Sequence, residues 1–180
     1  MKKLIITVIV VLVVIGGGFY WSQKSSLEVA NNSPTPTNDY KNISYNIDGQ
    51  VIQLKNGISE MAAAPGSAEI IITEYFGNEA KGDFNNDGTE DTAFILVQSG
   101  GGTGAFFYTV VALKTVEGYK GTNGILLGDR IAPQTTEFRN SQIIVNYADR
   151  KPDEPFSAEP SVGVSKYLKI ASDQLVEVTN

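Results

Sequence analysis

Apolar residues run almost unbroken near the start of this chain, and alternate with polar ones over most of the remainder. Leu4 to Ile15 is apolar apart from Thr7, and Gly16-Gly17-Gly18-Phe19-Tyr20-Trp21 continues the run. As a helix, Leu4 to Trp21 reaches roughly 27 Å at about 1.5 Å per residue, enough for the hydrocarbon core of a bilayer. From Tyr40 onward the period falls to two, the pattern of strands with one buried face. Ile43–Ile47 and Gln50–Leu54 flank Asp48-Gly49, a dipeptide suited to a tight hairpin turn. Further strands are predicted at Ala68–Phe76, Thr92–Gln98, Phe106–Leu113 and, briefly, Gly124–Gly128. Thr136–Arg139 and Gln142–Tyr147 pair across Asn140-Ser141, and Lys166–Ile170 and Gln174–Val178 pair across Ser172-Asp173. Phe106–Leu113 is dense in β-branched and aromatic residues, which marks it as a long central strand. Only Ile58–Ala64, between Gly57 and Pro65-Gly66, reads as a helical turn.

The expected fold is mainly β, an antiparallel sandwich or partly open barrel, preceded by one N-terminal transmembrane helix. Three regions follow: an anchor at 1–21, a polar tether at 22–39 and an extracytoplasmic β domain at 40–180. The tether centres on Asn31-Asn32-Ser33-Pro34-Thr35-Pro36-Thr37-Asn38, which cannot bury a core and favours an extended spacer. Lys2 and Lys3 keep the N-terminus cytoplasmic, while Tyr20 and Trp21 suit the opposite interface. A cleaved signal peptide shares the basic start and apolar core, but no Ala-x-Ala-like site follows here. The expectation is therefore an uncleaved signal anchor, giving a single-pass cell-membrane protein with its C-terminal domain outside.

Composition narrows the chemistry. The 180 residues contain no Cys and no His, which removes disulfides, thiol nucleophiles, zinc-thiolate sites and the commonest general base. A formal net charge of -6 disfavours nucleic acid and anionic membrane surfaces as ligands. Neutral, cationic or calcium-bridged partners remain.

The strongest motif is Asp83-Phe84-Asn85-Asn86-Asp87-Gly88-Thr89-Glu90-Asp91. Oxygen-bearing side chains occupy its first, third, fifth and ninth positions, and Gly88 stands where a cation-binding loop turns sharply. Asp83, Asn85, Asp87 and Asp91 would supply side chains to Ca2+, and Thr89 its backbone carbonyl. Three carboxylates on one loop repel one another unless a cation joins them. Phe94 stands where an EF-hand carries its bidentate Glu, and an apolar strand follows instead of a helix. Gly82-Asp83…Asp91 running into such a strand resembles the loops of FG-GAP and dockerin-type repeats, whose similar spacing holds calcium. The competing reading is a plain hairpin turn at Asn86-Asp87-Gly88.

Other segments are more ambiguous. Ser99-Gly100-Gly101-Gly102-Thr103-Gly104 joins two strong strands, and its amides could meet an anion or glycan or simply permit positive φ. Asp129-Arg130 and Asp149-Arg150 could form a polar binding floor or structural ion pairs. If extended, neither Asp should meet its own neighbouring Arg. Asp129, Asp149, Glu154 and Glu159 offer acid-base chemistry by residue type alone, while Ser161 and Ser165 have no His to activate them. Asn31 and Asn42 fall in glycosylation-type triplets, which are common by chance.

Gly82-Asp83…Asp91, Gly102-Thr103-Gly104-Ala105-Phe106, Leu127-Gly128-Asp129-Arg130, Gln142-Ile143-Ile144-Val145 and Pro152-Asp153-Glu154-Pro155 together resemble an uncharacterised exported domain of LppP/LprE-type bacterial lipoproteins. That resemblance implies an envelope-facing domain and brings no catalytic residues. This chain departs from it in having neither the lipobox Cys nor the Cys pair after the Pro-rich segment. The expected role is a non-catalytic binding or interaction module at the bacterial envelope, attached through its N-terminal helix, with an envelope protein or glycan as partner and a structural calcium. The alternatives are a glycan-directed hydrolase using paired carboxylates and a structural spacer in an envelope assembly.

Overall fold

The computed structural model describes residues 38–179, so the expected anchor at 1–21 and nearly all of the tether at 22–39 lie outside the described residues. Among the described residues no helix is long and apolar enough to cross a membrane. A single 3₁₀ turn at Tyr40–Asn42 opens them, N-capped by the Asp39 carboxylate, which accepts the Lys41 N–H. Twelve strands follow: β1 (Ser44–Ile47), β2 (Gln50–Gln53), β3 (Ile58–Ala62), β4 (Ile70–Gly82), β5 (Asp91–Ser99), β6 (Ala105–Thr115), β7 (Gly118–Gly121), β8 (Ile125–Asp129), β9 (Ala132–Arg139), β10 (Gln142–Asp149), β11 (Val162–Ala171) and β12 (Gln174–Glu177). The fold is mainly β and antiparallel, with no closed barrel. β1 and β2 form a small hairpin sheet, β12-β11-β10-β9 a four-stranded sheet, and β3-β4-β5-β6-β7 a larger sheet in which β8 also pairs with β6.

Turn chemistry sets this meander. Asp48-Gly49, Asn56-Gly57, Asn140-Ser141 and Ser172-Asp173 all hold both central residues at positive φ, between 50° and 84°. Such turns match the right-handed twist of the strands they join. The Asn56-Gly57 turn corrects the helical reading of Ile58–Ala64. Past it the chain becomes β3, paired with β4 from Ile58 opposite Glu74 to Ala62 opposite Ile70. The helical propensity of Met61-Ala62-Ala63-Ala64 yields to this tertiary pairing. β4 also runs beyond Phe76, because Gly77 and Asn78 take positive φ in an irregular stretch and pairing with β5 resumes afterwards.

β5 and β6 bury both faces, which explains their nearly continuous apolar sequence. Ala93, Ile95, Phe107, Val111 and Leu113 point one way, into a core shared with Ile143, Val145 and Tyr147 of β10, Leu168 of β11 and Leu175 of β12. Phe94, Leu96, Tyr108, Val110 and Ala112 point the other way, against Tyr45, Ile47 and Ile52 of the hairpin. The large sheet is therefore the middle layer. The hairpin is stitched to the segment after β7, where Asn46 donates its N–H to the Thr122 carbonyl and accepts the Gly124 N–H. Gly121 permits the approach, since the Ser44 carbonyl occupies the space a Cβ would need.

Candidate metal centre

The Asp83–Asp91 loop joins β4 to β5, and its base is fixed in the core. Phe84 is buried and meets Phe138 of β9 edge-on, with ring centroids 4.8 Å apart. Phe138 lies over Gly82, where any Cβ would collide with its ring. The exposed part is wound by its own polar groups. Asp83 accepts the N–H of Asp87 at 3.0 Å and of Gly88 at 2.9 Å. Asn85 accepts the Asp87 N–H through its amide oxygen and donates its amide N–H to the Asp87 carboxylate. Asp87 in turn accepts the N–H and hydroxyl of Thr89. Asn86 and Gly88 stand at φ 62° and 88°.

Asp91 is held differently from the other expected ligands. It is fully buried, one oxygen accepting the Phe84 N–H and the other the Lys114 N–H. Burial raises its pKa above the ordinary aspartate range; these two N–H bonds oppose the shift, and the negative charges of Asp87 and Asp83 reinforce it. The exposed Asp87 is shifted the opposite way by the Thr89 hydroxyl, the Asn85 amide and the Thr89 N–H. The Thr89 hydroxyl, shared with Asp87, also lies 3.2 Å from the Lys114 carbonyl, so the loop meets both backbone groups of that residue. The donor set thus combines half-buried Asp83 and Asn85, exposed Asp87 and Thr89, and buried Asp91. Among the described residues no three carboxylates draw together as a metal-holding group. Their oxygens face N–H and O–H donors instead.

Most of the remaining candidates have structural partners, while Glu159 is exposed and Ser161 bonds through its backbone N–H to the Asp149 carbonyl. Arg130 takes a φ of 51°, which breaks the extended geometry and swings its guanidinium onto its own neighbour. Asp129 accepts Nε at 3.0 Å and Nη2 at 2.6 Å, contrary to the expectation for extended residues, and also the Ala105 N–H. The Arg130 hydrogen bonds hold the Asp129 carboxyl below its usual range. Arg150 donates to the carbonyls of Ala158 and Arg130, pinning the loop before β11, while Asp149 accepts the Arg150 N–H. Glu154 accepts the Lys151 N–H. Gly101 donates its N–H to Glu69, so a carboxylate already stands against the glycine loop. Ser165 donates to Asn146, and the neighbouring Lys166 ammonium pairs with Glu177 at 3.0 Å. The Asn42 side chain is engaged at both ends, by Asp39 and by the Asn56 N–H.

One cluster escaped the sequence reading. Tyr40 and Tyr75 both donate to Glu79 Oε1, at 2.6 and 2.5 Å, and the Lys41 ammonium lies 3.7 Å from the Tyr75 ring centroid. It fastens the first described turn to β4. Lys41 and Glu79 are too far apart in sequence for any local motif to reveal it.

No family model matches the chain, and neither a curated protein nor a solved structure does.

Proposed function

We propose that the chain is a membrane-anchored extracytoplasmic sandwich domain whose Asp83–Asp91 loop binds one calcium ion, and that it serves as a non-catalytic interaction module at the bacterial envelope. Asp83, Asn85 and Asp87 would supply side-chain oxygens, Thr89 its carbonyl, and Asp91 the buried end of the set. One observation carries the metal reading. A single nine-residue turn holds four carboxylates, three of them at ligand spacing, and the charges of Asp83 and Asp87 both bear on buried Asp91. That repulsion disfavours the turn until a divalent cation offsets it.

Calcium would join the β4 end of the loop to β5 and, through Lys114, to β6. Its contribution is to fold stability rather than to a reaction. The anchor rests on the apolar run from Leu4 to Trp21 and the envelope location on the resemblance to LppP/LprE-type domains. The non-catalytic reading is supported by the structural partners of Asp129, Asp149 and Glu154 and by a chain without His or Cys.

The test is a pair of thermal melts of the full chain, in excess calcium and in chelator. Ligand at 100 times its Kd stabilises by about 2.7 kcal/mol, so calcium should raise Tm by several degrees. Coincident melts would remove the metal from the account.

A further inference from the structure

β2 and β3 begin as a hairpin and then part company. Lys55 and Ile58 exchange both backbone hydrogen bonds, at 2.8 and 3.2 Å, around Asn56-Gly57. Beyond that pair β2 turns to β1 and β3 to β4. A cleft of about 530 Å³ opens between them, lined by Val51, Gln53, Lys55, Ser59, Glu60 and Met61.

Backbone accounting shows what faces it. The Tyr75 N–H bonds the Gly57 carbonyl, so in this antiparallel register Ser59 and Met61 turn their backbone groups toward β4. Ile58, Glu60 and Ala62 turn theirs outward. Those of Ile58 are taken by Lys55, which leaves the N–H and C=O of Glu60 and Ala62 without partners among the described residues. On β2 the Leu54 N–H bonds the Ile43 carbonyl, so Leu54 and Ile52 turn inward to β1 and Gln53 and Val51 outward. Two strands therefore present unpaired backbone across one cleft.

Three other sheet edges are shortened or covered. β7 is four residues long with a glycine at each end. Phe138 of β9 packs over Gly82 of β4, and Asn123 occupies both backbone groups of Leu175 on β12. β3 carries no proline and no bulge, and its Ile58 and Met61 are exposed. Glu60 has no ion-pair partner among the described residues.

We propose that this cleft captures an extended polypeptide segment, which adds to β3 as an antiparallel strand and sets a basic residue opposite Glu60. Only another extended backbone matches free N–H and C=O groups at alternate residues. Residues beside the basic one would point to the other face, beside exposed Met61, and are therefore apolar. The wall formed by β2 restricts the occupant to a single strand. This gives the proposed interaction module its partner, rests on that module reading and does not depend on calcium.

The test is a titration of the isotope-labelled full chain with the blocked peptide Val-Thr-Val-Lys-Val-Thr-Val, read by amide shifts and hydrogen exchange. The expected result is slowed exchange at Glu60 and Ala62 and weaker binding when Glu replaces Lys in the peptide. Glu60→Pro removes both the outward N–H and the Glu60 carboxylate while leaving the bonds to β4 in place, a substitution that an edge strand tolerates, and should weaken binding at least about five- to tenfold. Glu60→Lys keeps the backbone donor and should reverse the preference between the two peptides. Shifts confined to another surface would overturn the β3 site and leave the module reading intact. No shifts at millimolar peptide, unchanged affinity in a folded Glu60→Pro chain, or protection arising only from dimerisation of the chain would each overturn the proposal.

Discussion

The Asp91 carboxylate, fully buried at the start of β5, accepts the backbone N–H of Lys114 on β6 at 2.8 Å, and its second oxygen accepts that of Phe84 at 3.0 Å. One side chain thereby ties the loop base to the neighbouring strand. Both donors would be stranded without it.

Asp91→Ala leaves those two N–H groups without their acceptors and should destabilise the domain by about 2–4 kcal/mol. Asp91→Asn keeps the volume but turns an N–H2 toward a donor, so it should also destabilise. Urea unfolding with an unchanged m-value measures both. An Asp91→Ala midpoint matching that of the parent chain would show that water replaces the carboxylate.

Glu79 gives a dependence on pH. Burial alone would raise its pKa, but the Tyr40 and Tyr75 hydroxyls, helped by the Lys41 and Lys81 charges, lower it below the ordinary glutamate value. A carboxylate with a depressed folded pKa adds stability above its unfolded pKa of about 4.3 and loses it as the solution acidifies through the folded value. Glu79→Gln should thus be less stable than the parent at neutral pH and converge with it in acid. Because Glu79 is solvent-exposed, the difference should be modest, under about 1 kcal/mol. Parallel stability curves across that range would contradict the clasp.

Asn123 acts as a strand surrogate. Its amide donates to the Leu175 carbonyl and accepts the Leu175 N–H, both at 2.9 Å. Asn123→Ala should cost about 1–2 kcal/mol and speed amide exchange at Leu175. Unchanged exchange there would mean that β12 is held by its core contacts alone.

Much of this fold was legible in alternation and turn chemistry. Asp48-Gly49, Asn140-Ser141 and Ser172-Asp173 punctuate the chain because short polar residues and glycine accept positive φ, and each closes a hairpin where expected. Asn56-Gly57 carries the same signal, but the small residues after it favour a helix until β4 supplies a partner. β7 escaped notice because Gly118-Tyr119-Lys120-Gly121 is too short to show a period.

The candidate site was legible in spacing and less so in orientation. Sequence position puts Asp83, Asn85, Asp87 and Asp91 on one loop, but burial distinguishes the last from the others, and it comes from strand β6. Likewise the Asp129-Arg130 contact depends on a positive φ at Arg130 that no local motif announces. Tertiary partners decide such details, so a single chain read along its length does not reveal them.

The central claim is the calcium loop, and calorimetric titration of the full chain with calcium tests it most directly, alongside Asp87→Ala and Asp87→Asn. The account predicts saturable heat with one ion per chain, abolished by Asp87→Ala and much weakened by Asp87→Asn, while both variants remain folded. Absence of binding heat and of any competition with a calcium indicator in the parent chain, or equal uptake by all three proteins, would contradict it.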